Sequence, residues 1–275
     1  MKIFIFTDLE GVSGVCKFMQ TSDKPDSKHL PPQEAMVDYA AYDEARHLLM
    51  GDLNACIDGL RDAGVDEIVA RDGHGIPYNF VPGEMRSGVR YCVGEWGALP
   101  LGGLEPDCDG VILLGHHAMA GTPDGILCHT QSPERGDRYW YNGREAGEIA
   151  QEALVAGHFD IPVVMVTGDD AACREAREFF GDEIITVSVK QGLGREAAVF
   201  VAPEAARRMI RDGAREAAAR IPRCKPYRID LPIHARLVVK DKETADTFRP
   251  RRGTRVDDVT FEATFDRAAD ILLLC

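Results

Sequence analysis

The opening stretch, MKIFIFTDLEGVSG, sets two carboxylates where chemistry can use them. Ile3, Phe4, Ile5 and Phe6 form an apolar run of buried-strand length. In extended chain, side chains two residues apart share a face. Asp8 and Glu10 should therefore project together at the strand's C-terminal end, with Gly11 and Gly14 allowing the backbone to turn beside them. Adjacent carboxylates repel unless a proton or a cation lies between them, and a hard or borderline metal suits such a pair. Taken alone, the stretch also reads as an Asp8 cap followed by a solvated Glu10.

Further along, RDGHG (71–75), GHHA (115–118), TGDD (167–170) and VKQ (189–191) each follow a short apolar run. Acids and histidines thus recur at the ends of successive expected strands. The candidate ligands are Asp8, Glu10, His74, His117 and Glu148, with His116 an alternative to His117. Each has an ordinary reading as well: His74 a loop histidine, His117 a packed one, Glu148 an acid in a helix's first turn, where the dipole favours it. No HExxH spacing links them. Their convergence at one end of one sheet carries the metal reading. Two histidines with three carboxylates suit zinc, manganese or cobalt better than magnesium. Five ligands exceed what one open tetrahedral zinc takes and fit two metals sharing a carboxylate, a device that polarises carbonyl or phosphoryl groups.

The elements that must position these residues alternate. Helices are expected over Asp43–Ala63, Gly143–Gly157, from near Asp170, and over Pro203–Arg220. Strands are expected at Glu67–Ala70, Gly110–Leu114, Pro162–Val166 and Ile184–Val189. Lys17–Gln33 reads as a long loop. The pattern predicts an α/β fold, a mostly parallel sheet flanked by helices, whose ligands sit beyond the carboxyl ends of the strands. Residues 1–221 are expected to form this metal-binding catalytic domain. After the Pro222–Pro226 linker, residues 222–275 are expected to form a smaller α+β unit, with strands at Ile233–Val239 and Val256–Phe261 and a helix at Ala263–Leu274.

The chain has 275 residues and a net charge of -13, which disfavours nucleic acid and anionic membrane as partners. No apolar run approaches a membrane span, and Met1 leads straight into the first strand, leaving no room for a signal peptide. The eight cysteines are scattered, as expected for reduced thiols in the cytoplasm. Cys128, beside His129, is the one whose neighbour invites a nucleophilic reading.

TDLEGVSG, DGH, LGHHA, the Gly-Thr-Pro turn ahead of His129, YNGREAGE and the strand ending VTGDD together resemble the zinc D-aminopeptidases of peptidase family M55. The resemblance runs over essentially the whole chain. It implies that Asp8, Glu10, His74, His117 and Glu148 hold two zinc ions, that His129 is catalytic, and that short peptides are hydrolysed. It also implies ring-shaped homo-oligomers, decamers of stacked pentamers. The segment between His117 and His129 is one residue longer here than in the family, and Thr21–Gln33 has no counterpart there. A two-metal phosphoesterase is the nearest rival, but no arginine cluster or glycine-rich phosphate cradle accompanies the strand ends. A non-catalytic peptide-binding accessory protein would not need the full ligand set.

Overall fold

A computed structural model describes residues 1–21, 32–75, 78–94 and 101–275. The Lys17–Gln33 loop expectation falls mostly outside these residues; Phe18–Gln20 within it form one 3-10 turn.

The main sheet has seven strands. β1 (Lys2–Thr7) pairs in parallel with β2 (Glu67–Asp72) on one side and with β4 (Gly110–His116) on the other. β3 (Arg90–Cys92) extends the sheet beyond β2, and β7 (Val163–Asp169) and β8 (Ile185–Gly194) extend it beyond β4, all in parallel. Only the last strand, β9 (Ala197–Phe200), is antiparallel. The order is β3-β2-β1-β4-β7-β8-β9. The chain moves outward from β1 to β3 and then returns to the other side of β1, so the topological switch point lies between β1 and β4. Crevices at such points are where α/β sheets bind ligands.

Both faces are covered, which is why Ile3–Phe6 of β1 is an unbroken apolar run. Ile3 and Ile5 face the core shared by α1 (Pro32–Asp62) and α4 (Pro203–Arg220). Phe4 faces the other core, with α2 (Glu148–His158) and α3 (Asp170–Phe180). α1 begins earlier than Asp43, with Pro32 at its first position, where a missing N–H costs nothing.

A second, antiparallel sheet has the order β11-β12-β10-β5-β6. β10 (Ile233–Val238), β11 (Thr254–Arg255) and β12 (Thr260–Phe265) come from the chain's last quarter. β5 (Arg138–Tyr141) and β6 (Arg144–Ala146) come from within residues 1–221. This hairpin stands where the sequence pattern gave the start of a helix. Its turn, Asn142-Gly143, has positive φ at both residues (49° and 84°), the geometry that suits a tight hairpin. Tyr139 and Tyr141 turn inward on to α2 and the C-terminal strands. The expected Ala263–Leu274 helix is instead the end of β12 followed by a 3-10 segment at Ala268–Leu274, because pairing with β10 claims Thr260–Phe265. Among the described residues, no helix is long and apolar enough to cross a membrane.

Candidate metal centre

Beyond β1 the chain turns over the end of β4. Asp8 N–H donates to Leu114 O at 2.9 Å, and Gly11 N–H donates to Gly115 O at 2.7 Å. Gly11 is required by contact: a Cβ there would lie 2.1 Å from the His116 carbonyl oxygen. This close approach brings Asp8 and Glu10 beside the end of β4. Both are buried, at 6% and 2% exposure.

β2 ends in Asp72, two residues before His74. Asn79 donates to both Asp72 carboxylate oxygens, at 2.5 and 2.9 Å, and to the His74 carbonyl at 2.9 Å, which fixes the loop. Asp72 is thereby a brace. His74 Nδ1 is 2.9 Å from Asp8 Oδ1 and 2.9 Å from Glu10 Oε2, while its Nε2 meets the Thr21 carbonyl at 2.6 Å.

β4 delivers His116 and His117 to opposite fates. His116 Nε2 turns away to Glu152 at 2.7 Å, and among the described residues His116 joins neither cluster of candidate ligands. His117 Nε2 faces Asp8 Oδ2 at 3.3 Å and Glu148 Oε1 at 3.6 Å. Glu148 opens α2, and its Oε1 also accepts from Gln131 N at 2.6 Å. The loop carrying Gln131 holds His129 between two residues of positive φ, Leu127 (52°) and Gln131 (62°), strain that costs energy and fixes the ring's position. His129 Nε2 lies 3.8 Å from Glu148 Oε1.

Two groups result: Asp8, Glu10 and His74, and His117, His129 and Glu148, each with its donor atoms within 4.8 Å of one another. Asp8 links them, with one oxygen towards His74 and the other towards His117. All three histidines are oriented in the same way. The ring nitrogen facing away from the carboxylates is hydrogen-bonded to a backbone carbonyl: Thr21 for His74, Ala118 for His117 (3.0 Å) and Leu127 for His129 (2.8 Å). Metal-binding imidazoles are held in this manner, since it fixes the tautomer and leaves the other nitrogen free. The sequence gives His129 a catalytic role outside the ligand set; in the structure its Nε2 adjoins the His117–Glu148 pair. The backbone carbonyls that orient the rings leave no mark in a sequence.

The electrostatics fit a cation. Asp8 Oδ2 and Glu10 Oε2 are buried without a hydrogen-bond partner, His74 Nδ1 being hydrogen-bonded to Asp8 Oδ1. Burial opposes charge on Asp8, but the His74 hydrogen bond and the charges of His117, His74 and His116 outweigh it and hold the carboxyl well below its usual range. Burial likewise opposes charge on His117, yet Glu148, Asp8 and Glu10 push it up to about 9. Without metal, protons on imidazole do the neutralising that a cation would do.

The remaining strand-end residues are supports. Asp169 caps α3 through Ala172 N and holds Ile126 N, both at 2.7 Å, steadying the His129 loop. Asp170 accepts from Gly192 N and Arg174. Cys128 is buried, its thiol donates to Thr122 O at 3.3 Å, and burial raises its pKa, all of which counts against a nucleophilic role. Lys190 is buried and donates to three backbone carbonyls.

The sequence profile of the D-aminopeptidases of peptidase family M55 matches residues 1–274. A D-aminopeptidase of Bacillus subtilis (strain 168) is 30% identical over 214 residues, 76% of this chain and 71% of that protein. Among solved structures, the zinc-dependent D-aminopeptidase DppA from Bacillus subtilis, a self-compartmentalizing protease, has the same fold. Its TM-score is 0.85 at 24% identity, over 99% of this chain and 94% of that one.

Proposed function

We propose that this chain, which belongs to the D-aminopeptidase family M55, is a metal-dependent aminopeptidase that removes the N-terminal residue of short peptides, D-residues among them. The observation that carries this reading is the placement of Asp8, whose two oxygens face His74 on one side and His117 on the other. Asp8 would be shared by the two cation sites, with Glu10 and His74 completing one and His117 and Glu148 the other. Nitrogen and oxygen donors in this mixture suit zinc, with manganese and cobalt as alternatives.

Bound there, two divalent cations supply an activated water and an electrophile for the scissile carbonyl. The chain's own groups do the rest. His129 has Nδ1 committed to the Leu127 carbonyl, so Nε2 is the atom that can hold a proton for the leaving amine or donate to the developing oxyanion. Phe18 stands beside the His129 ring, with centroids 6.2 Å apart and planes tilted by 57°.

Assembly is part of the same reading. Like the self-compartmentalizing relative, this chain forms a homo-oligomer, and a decamer is the size we propose. The eight free cysteines accord with a cytoplasmic location. Neither the phosphoesterase nor the accessory-protein reading is favoured by the family. The deciding experiment is metal analysis of the purified protein together with hydrolysis of D- and L-dipeptides, aminoacyl amides and a phosphodiester, each with added zinc, manganese or cobalt. Two metals per chain with amide hydrolysis is expected. A metal-free protein, or turnover of the phosphodiester alone, would overturn the reading.

A further inference from the structure

Lys190 belongs to β8, three strands from β1, yet its ammonium lies under the Glu10–Val15 turn. It is 1% exposed. Nζ donates to the carbonyl oxygens of Glu10, Val12 and Val15 at 2.5, 2.9 and 2.5 Å. An ammonium has three donors and no acceptor, and here each donor meets one carbonyl. None of the three acceptors is a carboxylate; Asp169 and Asp52 act on the charge only through space. Burying a charge is costly unless it is fully hydrogen-bonded, and methionine would fill much of the same volume. The turn itself explains the lysine. Gly11 gives its N–H to β4, while the carbonyls of Glu10, Val12 and Val15 converge on one buried point. Three converging carbonyl dipoles repel one another unless a cation sits among them.

We propose that Lys190 is a positioning residue: its ammonium is a tethered monovalent cation in a three-carbonyl cage, which holds the Glu10–Val15 turn and so aims the Glu10 carboxylate at its metal. The inference rests on Glu10 being a ligand, as argued above. Of the candidate ligands the cage touches only Glu10, which stands in the first group alone. Its loss should therefore weaken one of the two metals and spare the one at His117 and Glu148.

The test reads metal binding, by titration against a chelator, in the wild type, Lys190→Met and Lys190→Ala. The wild type should take two metals per chain. Lys190→Met should keep one at near wild-type affinity and bind the other about 10–100-fold more weakly, the usual cost of losing a group that orients a ligand. Lys190→Ala should show the same defect and be rescued by potassium or ammonium chloride, which can enter the emptied cage, and not by tetramethylammonium chloride at equal ionic strength. Two metals bound normally by Lys190→Met, equal weakening of both metals, or no rescue of Lys190→Ala would each overturn the proposal while leaving the metal reading intact. A wild type that takes up no metal would overturn both. Should the variants fail to fold, potassium or ammonium should restore the fold of Lys190→Ala, and failure to do so overturns the proposal.

Discussion

His117 and His129 stack face to face, with ring centroids 4.0 Å apart and planes 16° from parallel. Both turn Nε2 towards the same Glu148 oxygen. Two imidazoles so alike in orientation need different assignments. His117 also faces Asp8, which ties it to both groups, whereas His129 meets Glu148 alone.

From this difference, His129→Ala should retain two metals per chain and lose kcat by about 10²–10⁴-fold, the usual cost of a general acid or an oxyanion donor. KM should change little. Metal analysis beside steady-state kinetics makes the check. Loss of one metal would make His129 a ligand, and an unchanged kcat would make it a bystander.

Asp8 and Glu10 should differ in stoichiometry. Asp8→Asn removes charge from the residue that faces both groups and should impair both metals. Glu10→Gln should impair only one. Hydrolysis should fall to near background in the first while far-UV circular dichroism stays native. Equal loss from the two variants would contradict the bridging role.

The contact of Gly11 with β4 gives a steric prediction. Gly11→Ala places a methyl group 2.1 Å from the His116 carbonyl oxygen, so backbone must move. A loss of at least about 1–3 kcal/mol is expected, together with weaker metal binding, because the Asp8–Glu10 turn moves with it. Gly83→Ala is the control: its methyl would meet nothing within 4 Å. Chemical denaturation of both variants tests the contrast.

Asp52 supplies a pH dependence. It is buried and accepts from Ser13 N at 2.9 Å and Ser13 Oγ at 2.8 Å. Burial outweighs these bonds and the charges of Arg207 and Lys190, pushing its pKa up to about 6. The folded state therefore binds this proton more tightly than the unfolded state does. Stability from this group is full below about pH 4 and declines as pH rises to 6, by roughly 3 kcal/mol in all. Asp52→Asn should remove that decline, so its stability relative to wild type should grow across this window. Denaturation of both proteins at pH 4, 5, 6 and 7 measures it, and a constant difference would refute it.

Much of the main sheet was legible because β1, β2, β4 and β7 are short apolar runs that end in polar residues, and burial on both faces enforces that composition. The ends of β1, β2 and β4 named Asp8, Glu10, His74 and His117 as candidates, and the first turn of an expected helix named Glu148. Three things were not legible. The β5–β6 hairpin lies in YWYNGREA, where the apolar spacing of the following helix masks an Asn-Gly turn. The choice between His116 and His117 depends on Glu152, one helical turn beyond Glu148, which draws His116 away. The role of Lys190 left no mark in the sequence, because its acceptors are backbone carbonyls far off along the chain.

The pairing of β5 with β10, Tyr141 beside Ala235, has a consequence for how the protein comes into being. The β5–β6 hairpin ends two residues before Glu148, and its neighbour in the sheet is synthesised nearly a hundred residues later. A ribosome making this chain has already released Asp8, Glu10, His74, His117 and His129 while the hairpin beside Glu148 still lacks its partner strand. Domains fold as units when their parts are complete, so the last ligand becomes braced only as the chain's final quarter emerges.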